Sequence, residues 1–519
     1  MFTTYFSGTQ LVLLGMAFLF FLVSLYAFQK GRKSWSIFFL FVAGLSVYSF
    51  AALLDPFLNM WDERFHALVA KNLMENPLKP VLYRSLPISA DYSGWDKAHI
   101  WLHKQPLFLW QMALSMRCFG VHEFALRLPS VLMSALLIPM VYRMGKILVN
   151  DSVGYLTALL FFSSFYLIEL VAGRGMLEHN DISFLFYVSA SFWMWIEFVS
   201  SKNRYWILGI GLSVGAAILC KWLVGLTVFM GWGMYILLKQ RKEISAYLEM
   251  LGALAIALLV ALPWQFYTFA HYPEQAAYEM AYNGKHFFEV IEGHSGEFLY
   301  HIYRKKEMFI DYALYLLLPG LYFLYRRMEE KAVFFALLTI LIGVELFFAL
   351  AQTKMPSFTL ILAFPIYLAI ATLLHVLLEF LRSKINSKMV TVSLFSVGIS
   401  ALVFFRLDVD QLQAQHTLWK SENVYTKNLI ENKAIYKKIN EELDEQTVIF
   451  NVGGRHYVEC MFYTPNIAYR FVPTEVQYKE LKAKGLKVAL LLTPELEIPS
   501  YLQEDETVVY IEERLQGLY

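Results

Sequence analysis

Twelve apolar runs of roughly 16 to 24 residues recur through the first 405 residues of the chain. Each is long enough to cross the ~30 Å hydrocarbon layer of a bilayer with some tilt. Away from water a segment must satisfy its own backbone hydrogen bonds, so runs of this kind fold as helices. They lie near 10–29, 35–54, 124–144, 153–172, 182–199, 204–219, 222–238, 247–266, 309–325, 331–351, 357–380 and 389–405. The first is followed by "QKGRKS" and not by a small-residue cleavage site, the pattern of an uncleaved span. The expected fold class is a polytopic α-helical membrane protein of about twelve spans.

Lys and Arg resist translocation, so their distribution among the short connections orients the bundle. Sixteen fall in "KGRK" (30–33), "RMGK" (143–146), "KNR" (202–204), "KQRK" (239–242), "RRMEEK" (326–331) and "RSKINSK" (382–388), all on one side. That side is expected to be cytoplasmic. The short turns opposite hold one basic residue each, Arg174, Lys221 and Lys354. The long loops 55–123 and 267–308, the N terminus and everything after 405 then fall outside. A net charge of +1 lacks the basic surplus of a phosphate-tracking protein, which argues against a nucleic-acid partner. Cys118, Cys220 and Cys460 lie far apart with no CxxC spacing, so they are read as packing residues.

Residues 406–519 turn polar. "NVYTKNLIENKAIYKKINEEL" has helical periodicity, "TVIFNV" and "KVALLLT" read as buried strands, and "PTEVQYKELKAKG" reads as a helix ended by Gly485. The expectation is a small soluble α/β domain beside a membrane domain 1–405. "NVGG" lacks the spacing of a phosphate loop and is expected to be a turn.

Charges inside lipid are costly, and here they gather at the ends of spans on the basic-poor side. A transporter would more often place them at mid-membrane depth on broken helices. In "NMWDERFHALVAKN" (59–72), Asp62 and His66 share a helix face, and Asp62 with Glu63 suits the helix dipole of a solvated helix start. The same carboxylate could take a proton from an acceptor hydroxyl. In "HIWLHKQPLFLW" (99–110), Lys104 is either a snorkelling lysine or a cation for an interfacial phosphate. The turn "GRGMLEHND" (173–181) collects Arg174, Glu178, His179 and Asp181, and "QTKMPSFTLILAFP" (352–365) opens with Lys354. Loop 267–308 carries His271, His286, His294 and His301; these are hydrogen-bonded structure or a metal cluster, with His286 and His294 the candidate ligands.

Taken in order, these segments resemble the GT-C membrane glycosyltransferases, in the dolichyl-phosphate-mannose protein mannosyltransferase-like family that includes lipid A aminoarabinose transferases. "WDERFHALVAKNL" is similar to the family's acidic first outer loop, and "HKQPLFLWQMALSMRCFGVHEFALRLPSVL" to its "KPPL.yW" stretch. "GRGMLEHND", "GAAILCKWLVGL" and "TKMPSFTLILAFP" follow in the family's order. The resemblance covers roughly residues 55–370.

It implies transfer of one sugar, a hexose or pentose, from a polyprenyl-phosphate carrier to a hydroxyl of a protein, lipid A or other glycolipid, with inversion at the anomeric carbon. The implied setting is the outer face of a bacterial inner membrane, with the bilayer itself a partner. Asp62 matches the catalytic base and Glu63 its neighbour. Lys104, Arg174 and Lys354 match donor-phosphate cations, and Asp181, His103 and Glu178 fall where substrate is positioned. No cofactor is required, although some relatives bind a divalent metal. Three departures stand out: Gln105 replaces a proline, Ser357-Phe358 replaces a tyrosine-containing step, and an extra span precedes the acidic loop, which puts the N terminus outside. The competing readings are a flippase of lipid-linked sugars and a non-catalytic membrane protein that binds envelope material.

Overall fold

The computed structural model describes residues 6–90, 93–174, 179–309, 312–408, 411–412 and 424–517. α1 (Gly8–Gln29) begins at a capping box, in which Ser7 and Gln10 exchange side-chain and backbone hydrogen bonds. α2 (Lys33–Ala52) packs back on it after a turn at Gly31. The loop that follows holds α3 (Asp62–Leu73) and α4 (Leu107–Phe119). Seven helices come next: α5 (Glu123–Leu148), α6 (Asp151–Phe162), α7 (Phe165–Ala172), α8 (His179–Ser201), α9 (Tyr205–Lys221), α10 (Thr227–Lys239) and α11 (Ile244–His271). The second long loop holds α12 (Pro273–Phe288) and α13 (Tyr300–Met308). α14 (Ala313–Arg327), α15 (Lys331–Leu350), α16 (Ala363–Lys384) and α17 (Lys388–Leu407) complete the bundle.

By length and composition, eight of the described helices could cross a membrane, or ten if the bent pairs α6–α7 and α13–α14 each count as one span. The expected twelve are not reached by that count. The last expected span is a shorter apolar helix, Val392–Leu407. Residues 205–239 count as one run because the 3₁₀ turn Trp222–Leu226 continues the helical path. The contacts nevertheless make this run double back. Arg204 pairs with Glu249 at 2.7 Å, and a Cβ on Gly211 or Gly215 would press on Ile256 or Val260, so α9 and α11 run parallel. Lys239 pairs with Glu330 at 3.1 Å and Gly231 abuts Ile340, so α10 runs antiparallel to α15. Trp222, at φ +59°, is where the chain reverses. The glycines supply the close helix approach that drives packing where lipid is the solvent.

β1 (Thr447–Phe450), β2 (Lys487–Leu491) and β3 (Val509–Ile511) form a parallel sheet in that order, with Val448 opposite Val488 and Ala489 opposite Val509. The expected strands and the helices Val424–Glu442 and Glu475–Ala483 are present, the latter with Thr474 in a capping box and Gly485 at φ +73° beyond its end. β3 and the helix His456–Tyr463 were not foreseen. This unit does not stand apart from the rest of the chain. Leu58, Phe65, Trp101, Phe108 and Met112 of the first long loop share one apolar core with Val448, Ile449, Val458 and Phe462.

Candidate active site

Asp62 and Glu63, adjacent on the first turn of α3, point to different surroundings. Glu63 is buried and both its oxygens are engaged. Arg127 of α5 donates to them at 2.7 and 2.9 Å, His179 lies 3.0 Å away, and the Asn59 N–H donates at 2.6 Å. Burial opposes ionisation of this carboxyl, but the Arg127 charge and the His179 hydrogen bond outweigh it and hold its pKa below the usual range. Arg127 also donates to the carbonyls of Ala52, Asp55 and Phe57, so one guanidinium fixes the end of α2, the connecting loop and α3. Gly173 closes this nest: its φ is +72°, and a Cβ there would lie 2.5 Å from Glu63 Oε1.

Beside it sits Asp55, a buried carboxylate that the sequence reading passed over. Arg174 grips it with two bonds of 2.7 Å, and Asn59 Nδ2 donates to it at 3.1 Å. Burial raises the Asp55 pKa, and Arg174 more than reverses this, leaving it below the ordinary value. Arg174 therefore ties the turn after α7 to the acidic loop. It does not line the cavity described below.

Asp62 faces the other way and stays partly exposed. Lys104 Nζ lies 3.7 Å and His66 Nε2 4.0 Å from its Oδ1. Lys104 forms part of the wall of a cavity of about 250 Å³, together with Lys221, Asn180, Ser357 and Phe358. Lys221 pairs with the buried Asp181 and lies under the Phe358 ring. The cavity thus has two ammonium groups, each with its own aspartate. Asn180 Oδ1 is buried in this wall with no hydrogen-bond partner among the described residues. Its remaining lining is largely aromatic and aliphatic, as in a site for an apolar tail carrying a polar head.

His103 and His286 also line the cavity. His103 Nδ1 is 3.2 Å from Glu279 Oε2, and His286 turns Nδ1 to the Tyr282 carbonyl at 3.3 Å. Burial lowers the His286 pKa. His286 and His294 meet the 353–354 backbone through their carbonyls, which accept from Thr353 and Lys354 N–H groups at 3.0 and 2.9 Å. Among the described residues no group of three His, Cys, Asp or Glu is arranged to hold a metal ion.

Lys354 is buried away from the cavity. Its ammonium donates to the carbonyls of Phe348, Ala349 and Ala351 at 2.9, 2.6 and 2.5 Å, capping the C-terminus of α15. Glu178 lies outside the described residues. Gln105 accepts from Gln265 at 2.7 Å, so the residue that replaces the expected proline joins α4's entry to α11. Lys221 was legible only as the single basic residue of its turn, and Asp55 only as an acid just past α2.

Residues 103–267 match the family described as dolichyl-phosphate-mannose-protein mannosyltransferase. The chain is 29% identical over 327 residues to the undecaprenyl phosphate-alpha-4-amino-4-deoxy-L-arabinose arabinosyl transferase of Pseudomonas aeruginosa, covering 59% of this chain and 55% of that protein. The corresponding Pseudomonas paraeruginosa protein is 28% identical over 325 residues, again covering 59% and 55%. The chain thus spans about half the length of the curated relatives it matches. The structure is similar to ArnT from Cupriavidus metallidurans bound to undecaprenyl phosphate, with a TM-score of 0.62 over 86% of this chain and 87% of that one at 14% identity. The fold is thus similar to that of ArnT, and the segment 103–267 to the mannosyltransferase family model.

Proposed function

We propose that this protein transfers one sugar from a polyprenyl-phosphate carrier to an acceptor hydroxyl, inverting the anomeric centre, at the end of the bundle that carries Asp62. The observation that supports this reading most is the pairing of Asp62 with Lys104 at the wall of a cavity that also holds Lys221. In the resting site each ammonium is neutralised by an aspartate. A donor phosphate entering between Lys104 and Lys221 competes for both, and Asp62 is released to face the acceptor. Asp62 then takes the acceptor proton as that oxygen attacks the anomeric carbon. The carbon–oxygen bond to phosphate breaks, and the carrier phosphate leaves with the electron pair. Its new charge develops against the two preset ammonium groups, which lowers the barrier electrostatically.

In this reading Asp181 orients Lys221, while His103 and Glu279 shape the wall beside the donor. Glu63, Arg174 and Lys354 hold the frame around the cavity. The acidic loop and residues 406–519 face the extracytoplasmic side of a bacterial inner membrane. The donor sugar is a hexose or a pentose, and the acceptor a protein, lipid A or another glycolipid. The names of the similar Pseudomonas enzymes make a polyprenyl-phosphate pentose the first donor to try. No step requires a metal.

A radiolabelled donor separates the roles. Asp62→Asn is expected to lower transfer by about 10²–10⁴-fold with donor binding retained, as for loss of a positioned proton acceptor. Lys104→Ala is expected to weaken donor binding as well as turnover. Normal turnover in Asp62→Asn would sink the base assignment, and membrane translocation of donor without transfer would favour a flippase.

A further inference from the structure

At the opposite, basic end of the bundle a second cavity of about 340 Å³ lies between the end of α1, the start of α2, α6, α16 and α17. Lys33 and Arg382 line it, with Gln29, Phe28, Leu156 and Phe395. Among the described residues neither cation makes an ion pair. Lys33 Nζ donates only to the Phe28 carbonyl at 3.2 Å and lies 3.3 Å from the centre of the Phe28 ring. The carboxylate in the wall, Glu379, is already held by Arg327 and by His375 at 3.1 Å. Arg32 and Lys384 stand exposed nearby. The same wall carries a strip of exposed apolar side chains, Leu381 of α16 and Val392 and Leu394 of α17.

The one carboxylate outside the wall that Lys33 senses, Asp151, is itself paired with Lys146 at 3.1 Å. Two cations with no ion pair within 4 Å among the described residues, beside an apolar strip, ask for a ligand that is both anionic and greasy. A free phosphate would leave the strip bare, and a zwitterionic headgroup would bring its own cation to the two already present. We propose that this cavity binds the phosphate and glycerol of one anionic glycerophospholipid, whose acyl chains lie along the α16–α17 strip. Cytoplasmic-side basic pockets between membrane helices suit such headgroups, each nearby Lys or Arg contributing to the attraction. The site is separate from the donor cavity, at the other end of the bundle.

The test is native mass spectrometry of the delipidated full-length protein titrated with phosphatidylglycerol, phosphatidylcholine, polyprenyl phosphate or inorganic phosphate. Phosphatidylglycerol is expected to bind as one tight copy, ahead of phosphatidylcholine and inorganic phosphate, while polyprenyl phosphate is expected to bind at the donor cavity and to be unaffected by substitutions at the second one. Lys33→Gln with Arg382→Gln should weaken it about tenfold or more. Arg241→Gln with Lys242→Gln removes the same charge from the same end outside the cavity and should leave binding intact. Leu394→Trp, which obstructs the strip without changing charge, should also weaken it. Three results would overturn the proposal: equal loss in the control pair, equal binding of phosphatidylcholine, or loss of polyprenyl phosphate binding in Lys33→Gln with Arg382→Gln to the same extent as phosphatidylglycerol. Retained thermal unfolding in each variant separates loss of the site from loss of the fold.

Discussion

Each oxygen of Glu63 is engaged by two partners, which leaves it no lone pair to spare for a reaction. The buried pair it forms with Arg127 is the kind whose rupture strands a charge in a low-dielectric interior, at about 3–5 kcal/mol. Glu63→Ala should therefore lower the thermal stability of the detergent-solubilised protein sharply, and Glu63→Ala with Arg127→Met should recover part of the loss. Both Asp55 and Glu63 have folded pKa values held below their ordinary 3.8 and 4.5. The unfolded chain thus binds protons first as pH falls, so the stability these groups confer is fully present above about pH 5 and disappears as pH drops through their folded values. Unfolding temperatures recorded from pH 6 to pH 3 should decline most below pH 4.5, and Glu63→Gln should flatten that decline. The sequence displayed Asp62 and Glu63 as a matched pair at a helix start. Which of them is buried was decided by Arg127, 64 residues later, and by His179. No local pattern carries that information.

At the level of elements, α3 is held from outside. The residue just before it, Trp61, sits at φ +68° at the N-cap position and makes no side-chain cap hydrogen bond. The preceding backbone is clasped by the C-terminal unit instead: Tyr463 accepts from the Leu58 N–H at 3.1 Å, Tyr425 from the Met60 N–H at 3.0 Å, and Lys433 donates to the Pro56 carbonyl at 2.6 Å. Arg455 stacks 3.7 Å over the Trp61 ring. Further along, Arg64 pairs with Glu459 at 3.1 Å, and Lys71 donates to three carbonyls of residues 461–464. Burial pushes the Lys71 pKa down to about 8. A cation–π contact of this kind contributes about 0.5–2 kcal/mol. Arg455→Ala is accordingly expected to reduce kcat by roughly 2- to 30-fold with little change in donor KM; an effect confined to KM would assign Arg455 to donor binding. "NVGG" was legible as a turn. That it delivers Arg455 onto Trp61 was not, because the contact joins residues separated by about three quarters of the chain.

For the molecule as a whole, periodicity and run length made the membrane bundle and the C-terminal α/β unit legible before any coordinates. Helix count was less so. A chain that reverses through a 3₁₀ turn, as at Trp222, and spans that bend, as at Ser163-Ser164, blur the link between an apolar run and one crossing. Orientation can be read directly. With exposed Cys118 replaced by Ser, a cysteine at Glu297 should react with an impermeant thiol reagent in intact cells, and one at Lys242 only after permeabilisation. The reverse labelling would turn the whole assignment of faces upside down.

The clasp on α3 also sets an order of events during biosynthesis. The residues that grip the acidic loop are made some 360 to 400 positions after it. At ~5–20 residues per second that is a wait of roughly 20 to 80 seconds. Until Tyr425, Lys433, Arg455 and Tyr463 have been synthesised, the turn at Trp61 is tied through Arg127, Arg174 and their partners but lacks the grip of the C-terminal unit. On the proposed function, a nascent bundle that is already inserted would then stay inert until its last segment docks.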